Sequence, residues 1–227
     1  MSVIAPFAGL ALVTSVALAQ PDPGQLPGRD AVSAAPRCPV TNEPINLAVR
    51  TETEDGPVFF CCTDCVEKYR ANPGKYTAKV AAQRAGLALR PKVQVTCPVT
   101  RDPVDTDVFV AQGDRKVYFC CKDCVGKFKQ NPAKYRAGLA NAYTYQTKCP
   151  VMGDDIDPAS FATLAGGQKV YFCCNGCEKK LLSNPGKYLP NLAGQGFDLQ
   201  AADIRLAGQT SKGDKGHAGH AEHDHDH

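Results

Sequence analysis

Twelve cysteines in a chain of 227 residues fall into three groups of four, and no cysteine lies outside them. The first group is Cys38, Cys61, Cys62 and Cys65. The second is Cys97, Cys120, Cys121 and Cys124, and the third is Cys149, Cys173, Cys174 and Cys177. Between the first and second cysteine of a group stand 22 residues in copies one and two, and 23 in copy three. Four convergent thiolates suit tetrahedral Zn. Three, with an open position, suit a soft transferable ion such as Cu(I). A disulfide framework is the main alternative, because an even cysteine count in an exported chain ordinarily means disulfides. Adjacent pairs such as Cys61-Cys62 fit such a framework poorly. A thioredoxin-like reading of Cys62-Thr63-Asp64-Cys65 lacks the surrounding βαβ pattern and would have to occur three times.

The elements that must position these thiols can be read from the repeats. Each copy begins on a Cys-Pro-Val turn (Cys38, Cys97, Cys149). An extended stretch follows, over Leu47–Arg50, Asp107–Val110 and Phe161–Leu164. Turn residues come next at Asp55-Gly56-Pro57, Gly113-Asp114 and Gly166-Gly167. A β-rich run then ends on Cys61, Cys120 or Cys173, which predicts a hairpin. Beyond it the period changes. Cys65 and Tyr69, Cys124 and Phe128, and Cys177 and Leu181 are four apart, on one face of a helix. Asn-Pro ends that helix. A second helix is predicted in copy one over Tyr76–Ala85, with Gly86 as its stop. Each copy is about 40 residues, too short to bury an adequate core alone, so the cysteines carry a structural load whatever else they do. The helix N-terminus favours thiolate over thiol.

The Cys-x22-Cys-x3-Cys spacing, the aromatic run before the strand-end cysteine and the Asn-Pro-x-Lys-Tyr tail resemble the TRASH and YHS families over about 38–76, 97–135 and 149–188. The resemblance implies small α+β, treble-clef-like modules (Cys turn, β-hairpin, short helix), here three in tandem, joined by helical or flexible linkers, and associated with heavy-metal sensing and trafficking. It implies Cys38, Cys61 and Cys65 as core ligands, with Cys97, Cys120 and Cys124, and Cys149, Cys173 and Cys177, in the other copies. The chain departs from a Cys-Pro-x-Cys knuckle, because Thr41, Thr100 or Met152 stands where a second cysteine would. It also carries an extra cysteine in each copy: Cys62, Cys121 and Cys174. Each site is therefore either four thiolates or three plus a free one, and the cofactor is Zn or Cu(I).

Other residues admit plainer roles. Asp64 and Asp123 favour a first helical turn, with a supporting role at the metal as the alternative. Phe60, Phe119 and Phe172 are small-core residues, as are Tyr76, Tyr135 and Tyr188. Lys68, Lys127 and Lys179 form a solvated face. Met152 is a loop residue, with soft ligation as its alternative.

All five histidines, His217, His220, His223, His225 and His227, stand in the C-terminal tail. The body thus lacks the commonest general base, and no enzymatic activity is expected. The tail is expected to be disordered and to capture borderline metals weakly. Net charge is +3 with no basic block, which excludes nucleic acid as a partner. Residues 1–19 read as a signal peptide ending on Ala17-Leu18-Ala19, although no Lys or Arg precedes the apolar run. That places the protein in the periplasm or outside the cell, and not in the membrane after cleavage. The expected division is a signal at 1–19, a flexible linker at 20–36, modules at 37–90, 91–143 and 144–195, and a His-rich tail at 196–227. The function expected is heavy-metal handling, sequestration or trafficking, with metal ions and an envelope metal transporter or another protein as partners. Structural zinc modules serving protein–protein interaction, or a disulfide-stabilised repeat protein, are the alternatives.

Overall fold

The computed structural model describes residues 35–207. The expected signal, nearly all of the linker and the five tail histidines lie outside them. Within the described residues the chain is a small α+β protein built from one unit three times over. The first unit holds β1 (Asn46–Thr51), β2 (Val58–Phe60), α1 (Thr63–Ala71) and α2 (Thr77–Ala88). After β3 (Val93–Gln94), the second holds β4 (Asp105–Gln112), β5 (Arg115–Phe119), α3 (Lys122–Gln130) and α4 (Arg136–Ala140). After β6 (Tyr143–Thr144), the third holds β7 (Asp157–Thr163), β8 (Lys169–Phe172), α5 (Asn175–Ser183) and α6 (Pro185–Ala193). No described helix is long and apolar enough to cross a membrane.

The opening turn is the same in all three units. The amide of Cys38 donates to the Glu43 carbonyl at 2.8 Å, and Cys97 and Cys149 donate to Asp102 and Asp154 at 2.7 Å. Closing it takes a left-handed residue, Asn42 at φ 67°, Arg101 at 71° and Gly153 at 81°. Asparagine tolerates that conformation and glycine has no steric cost there.

Each expected hairpin is present, and each carries the same irregularity. The strands pair Asn46 with Phe60, Asp105 with Phe119 and Asp157 with Phe172, and the register then slips before Arg50, Phe109 and Phe161. A short polar side chain produces the slip. Asn46 Oδ1 accepts the Ala48 amide at 2.9 Å, Asp105 Oδ1 that of Asp107 at 2.9 Å, and Asp157 Oδ1 that of Ala159 at 3.0 Å. This local bond takes an amide out of the ladder and bends the strand.

The first helix of each unit stops at Asn-Pro as its sequence dictates. Asn72, Asn131 and Asn184 cap α1, α3 and α5 with non-helical backbone. Two expectations are corrected. Helix α2 runs through Gly86 to Ala88, because Leu87, 2% exposed, is packed in the core and holds the last turn. A second helix also forms in every unit, not in the first alone.

The units are fused. One core joins Leu47, Ala48, Phe59 and Leu87 of the first to Ala162, Leu164, Val170, Phe172 and Leu181 of the third. The short strands that precede units two and three, β3 and β6, pair antiparallel. The segment 196–207, expected to belong to the tail, instead closes this core. Phe197, Leu199 and Ile204 are buried in it, Leu206 bridges to Leu164, and Asn46 exchanges two hydrogen bonds with the Asp198 backbone at 2.6 and 3.1 Å. Its apolar spacing gives it surface to bury, which the Gly, Lys and His composition beyond it does not. The second unit keeps a core of its own around Val117, Phe119 and Phe128. It is tied to the first by Asn141, which donates to the Thr53 carbonyl at 2.7 Å. Exposed ion pairs Arg101–Glu52 and Arg136–Asp55 add little.

Phe197→Ala is expected to destabilise the body by about 3 kcal/mol or more, as for a large aromatic lost from a core. Units one and three should unfold together in denaturant. Separate transitions for the two would contradict the shared core.

Candidate metal centre

Each unit brings together one cysteine from the opening turn, one from the end of the hairpin and one from the first turn of the helix. The sulfurs of Cys38, Cys61 and Cys65 all lie within 4.8 Å of one another, and so do those of Cys97, Cys120 and Cys124, and of Cys149, Cys173 and Cys177. In every set the turn and helix cysteines are buried and the strand-end cysteine is half-buried. Among the described residues, which include all twelve cysteines, every one is a free thiol.

The fourth cysteine of each group stands at the rim. Cys62, Cys121 and Cys174 are exposed and cap the N-termini of α1, α3 and α5 in extended backbone. Their sulfurs are still close to the buried sets. Cys62 lies 3.7 Å from Cys61 and 3.6 Å from Cys65, Cys121 lies 3.9 Å from Cys120, and Cys174 lies 3.6 Å from Cys177. Within the sets, Cys61 and Cys65 are 3.6 Å apart, Cys120 and Cys124 3.6 Å, and Cys173 and Cys177 3.8 Å. Sulfurs held at roughly 2.3 Å around a tetrahedral ion stand about 3.8 Å apart. The donor set and its spacing therefore fit a thiophilic metal ion, and the three buried-to-half-buried thiols of each unit are the residues that would hold it.

Local electrostatics divides the thiols by position. Burial raises the Cys38 thiol, but the Thr41 hydroxyl and the amides of Thr41, Cys61 and Val40 overcome it and bring it to about 7. Cys97 and Cys149 are lowered in the same way, burial being outweighed chiefly by the Cys120 and Cys173 amides respectively. Burial and then neighbouring thiols push Cys65, Cys124 and Cys177 far up. At the rim, the Cys65 and Cys124 amides lower Cys62 and Cys121, while the Cys177 thiol lowers Cys174. One thiol per buried set is thus disposed to ionise first. The others need the charge of an ion to give up their protons, so binding releases protons and weakens as pH falls.

Three glutamines, overlooked when the cysteines alone are read, hold the two chain segments of each set in place. Gln83 is 2% exposed, Gln94 5% and Gln146 0%. Gln83 donates to the carbonyls of Arg37 at 2.8 Å and Phe59 at 2.7 Å, and accepts the Phe59 amide at 3.0 Å. Gln94 donates to Thr96 at 3.2 Å and Tyr118 at 2.7 Å, and accepts from Tyr118 at 3.0 Å. Gln146 donates to Lys148 at 3.1 Å and Tyr171 at 2.6 Å, and accepts from Tyr171 at 2.9 Å. In every case one carboxamide links the residue just before the turn cysteine to the strand residue two before the hairpin cysteine. Gln94 and Gln146 both stand three residues before their turn cysteine, a repeat the sequence displays. Copy one has Ala35 there, and Gln83 reaches in from α2 instead.

The remaining expectations fall as follows. Phe60, Phe119 and Phe172 are fully buried beside the clusters, and Tyr76, Tyr135 and Tyr188 are half-buried. Lys68, Lys127 and Lys179 are exposed, and Asp64 and Asp123 sit in first helical turns. The five histidines lie outside the described residues.

Two substitutions test this arrangement. Cys65→Ser removes a buried donor and should abolish tight binding in the first unit, whereas Cys62→Ser at the rim should leave most of it, read by competition with a chromophoric chelator. Equal losses would make the first site a four-thiolate one. Gln146→Ala should weaken the third site alone by about 10- to 100-fold, the range for groups that orient ligands from behind. An unchanged third site would remove the glutamine from the account.

No protein-family model, curated protein or solved structure matches this chain. What the described residues do carry is the three recurring cysteine clusters, which suggest metal-binding modules.

Proposed function

We propose that this chain is an exported metal-binding protein that takes up and passes on thiophilic metal ions, one per unit. The observation that carries this reading is the threefold recurrence of three convergent sulfurs within 4.8 Å, built each time from the same turn, strand end and helix start. Zn and Cu(I) are the ions this donor set suits. Export rests on the apolar stretch ending at Ala17-Leu18-Ala19. A binding role rather than a catalytic one rests on the lack of any histidine before His217.

Two features favour exchange over a purely structural metal. The strand-end thiol of each set is half-buried and the rim thiol is exposed, so an acceptor can approach the ion from one side. The shared core of units one and three also contains many apolar residues that are not ligands, including Leu164, Leu181, Leu192 and Phe197. Loss of metal therefore need not unfold the body, in contrast to small zinc-dependent domains. The tail histidines would serve as weaker donors or acceptors, and an envelope metal transporter would be a partner suited to such exchange.

Removal of metal with a chelator tests this. The chain should bind about three ions tightly, with and without residues 211–227, and should keep its helical circular dichroism when they are removed. Binding of no metal, with six disulfides found by mass spectrometry, would overturn the reading. Unfolding on metal loss would make the ions structural.

A further inference from the structure

Position 41 of the first unit, 100 of the second and 152 of the third occupy one place in the opening turn. The flanking hydrogen bonds are the same: Asn42, Arg101 and Gly153 each donate to the turn cysteine's carbonyl at 2.9 Å, and each is left-handed. The side chain at this place therefore leaves the backbone in the same relation to the strand-end cysteine. In the first two units it is a threonine whose hydroxyl reaches that sulfur. Thr41 Oγ1 is 3.3 Å from Cys61 Sγ, and Thr100 Oγ1 is 3.4 Å from Cys120 Sγ. In the third unit it is Met152, and among the described residues no hydroxyl bonds Cys173.

This substitution changes the donor set in two ways. A hydroxyl bonded to a thiolate draws charge from the sulfur and stabilises an electron-rich divalent thiolate complex. Cys173 lacks that bond. Met152 also brings a thioether, a neutral soft donor, on a side chain that is 55% exposed and so is not committed to the core. Thioethers select soft monovalent ions and add little to Zn. The third turn keeps both backbone hydrogen bonds of Cys149 and the Gln146 clamp, and it also lacks the bond by which Thr41 and Thr100 accept the amide two residues on.

We infer that the third site differs in specificity from the first two: it takes a soft monovalent cation, with Met152 as an added thioether ligand, while the Thr41 and Thr100 sites favour a divalent ion. The inference rests on the reading of the clusters as metal sites. In a mixture of ions, the third unit fills first with the monovalent one.

The chain has two methionines, Met1 and Met152, so a methyl-labelled methionine spectrum reads the third site directly. The probe is Ag(I), a diamagnetic soft monovalent ion, titrated into the full chain loaded with Zn(II). The Met152 methyl resonance should shift with the first equivalent, as one Zn(II) is released. Zn(II) loading alone should leave it nearly unmoved. Met152→Thr should lower the preference of the third site for Ag(I) over Zn(II) about tenfold or more, within the range seen for changes around metal ligands. Thr100→Met should raise that of the second site. A Met152 resonance that responds only to later equivalents, or a preference unaltered by Met152→Thr, overturns the inference while three-ion binding leaves the proposed function standing. If neither ion binds, both fall.

Discussion

Three sulfurs from a turn, a strand end and a helix start meet only while the turn lies edge to edge with the strand. That registration is imposed by a buried carboxamide. Glutamine is suited to it because one side chain can both accept an amide and donate to two carbonyls, leaving no buried group of its own unpaired. The bonds run to the backbone on either side of the cluster, so the clamp fixes where the sulfurs are without touching them. The price of losing it is unpaired amide and carbonyl groups in a dry interior, typically about 1–3 kcal/mol for each such group. The Asx-induced slip in each hairpin belongs to the same design. It bends the strand opposite Phe60, Phe119 and Phe172, the residues immediately before the strand-end cysteines.

Much of this could be read in the sequence because it is local. Turn, hairpin, helix and Asn-Pro stop are written in residue types and short spacings, and three copies made each signal repeat. The Asx residues eight positions after each turn cysteine and the glutamines three positions before the second and third are equally regular, but such polar residues carry no chemistry that calls attention to them. What was not legible is tertiary. Gln83 replaces the missing glutamine of copy one from a helix 45 residues after Cys38 in sequence, and no spacing rule connects the two. The role of 196–207 was hidden for the same reason. Phe197, Leu199 and Ile204 look sparse until the first hairpin is placed beside them. The conformational freedom of Gly86 is a local stop signal, and the burial of Leu87 next to it, a tertiary fact, overrides that signal.

The fusion of the units bears on how ions are held. A module of about 40 residues standing alone would need its metal to fold. Here units one and three pool their apolar surface, the second is pinned to the first through Asn141, and the strands leading into the second and third, β3 and β6, pair with each other. The clusters are thereby released from part of their structural load. A site that need not hold the fold together can tolerate an exposed edge, and each cluster has one, formed by the strand-end thiol and its neighbour at the helix cap. The three sites share a scaffold but not every detail, since the residue beside the strand-end sulfur is threonine twice and methionine once.

The most direct test of the central claim is X-ray absorption at the metal edge and the sulfur edge of the purified chain loaded with one ion per unit. Convergent thiolates predict a shell dominated by sulfur around the ion, at about 2.3 Å if the ion is zinc. A shell made mainly of nitrogen or oxygen, or a sulfur spectrum dominated by S–S bonds of about 2.05 Å, would contradict it.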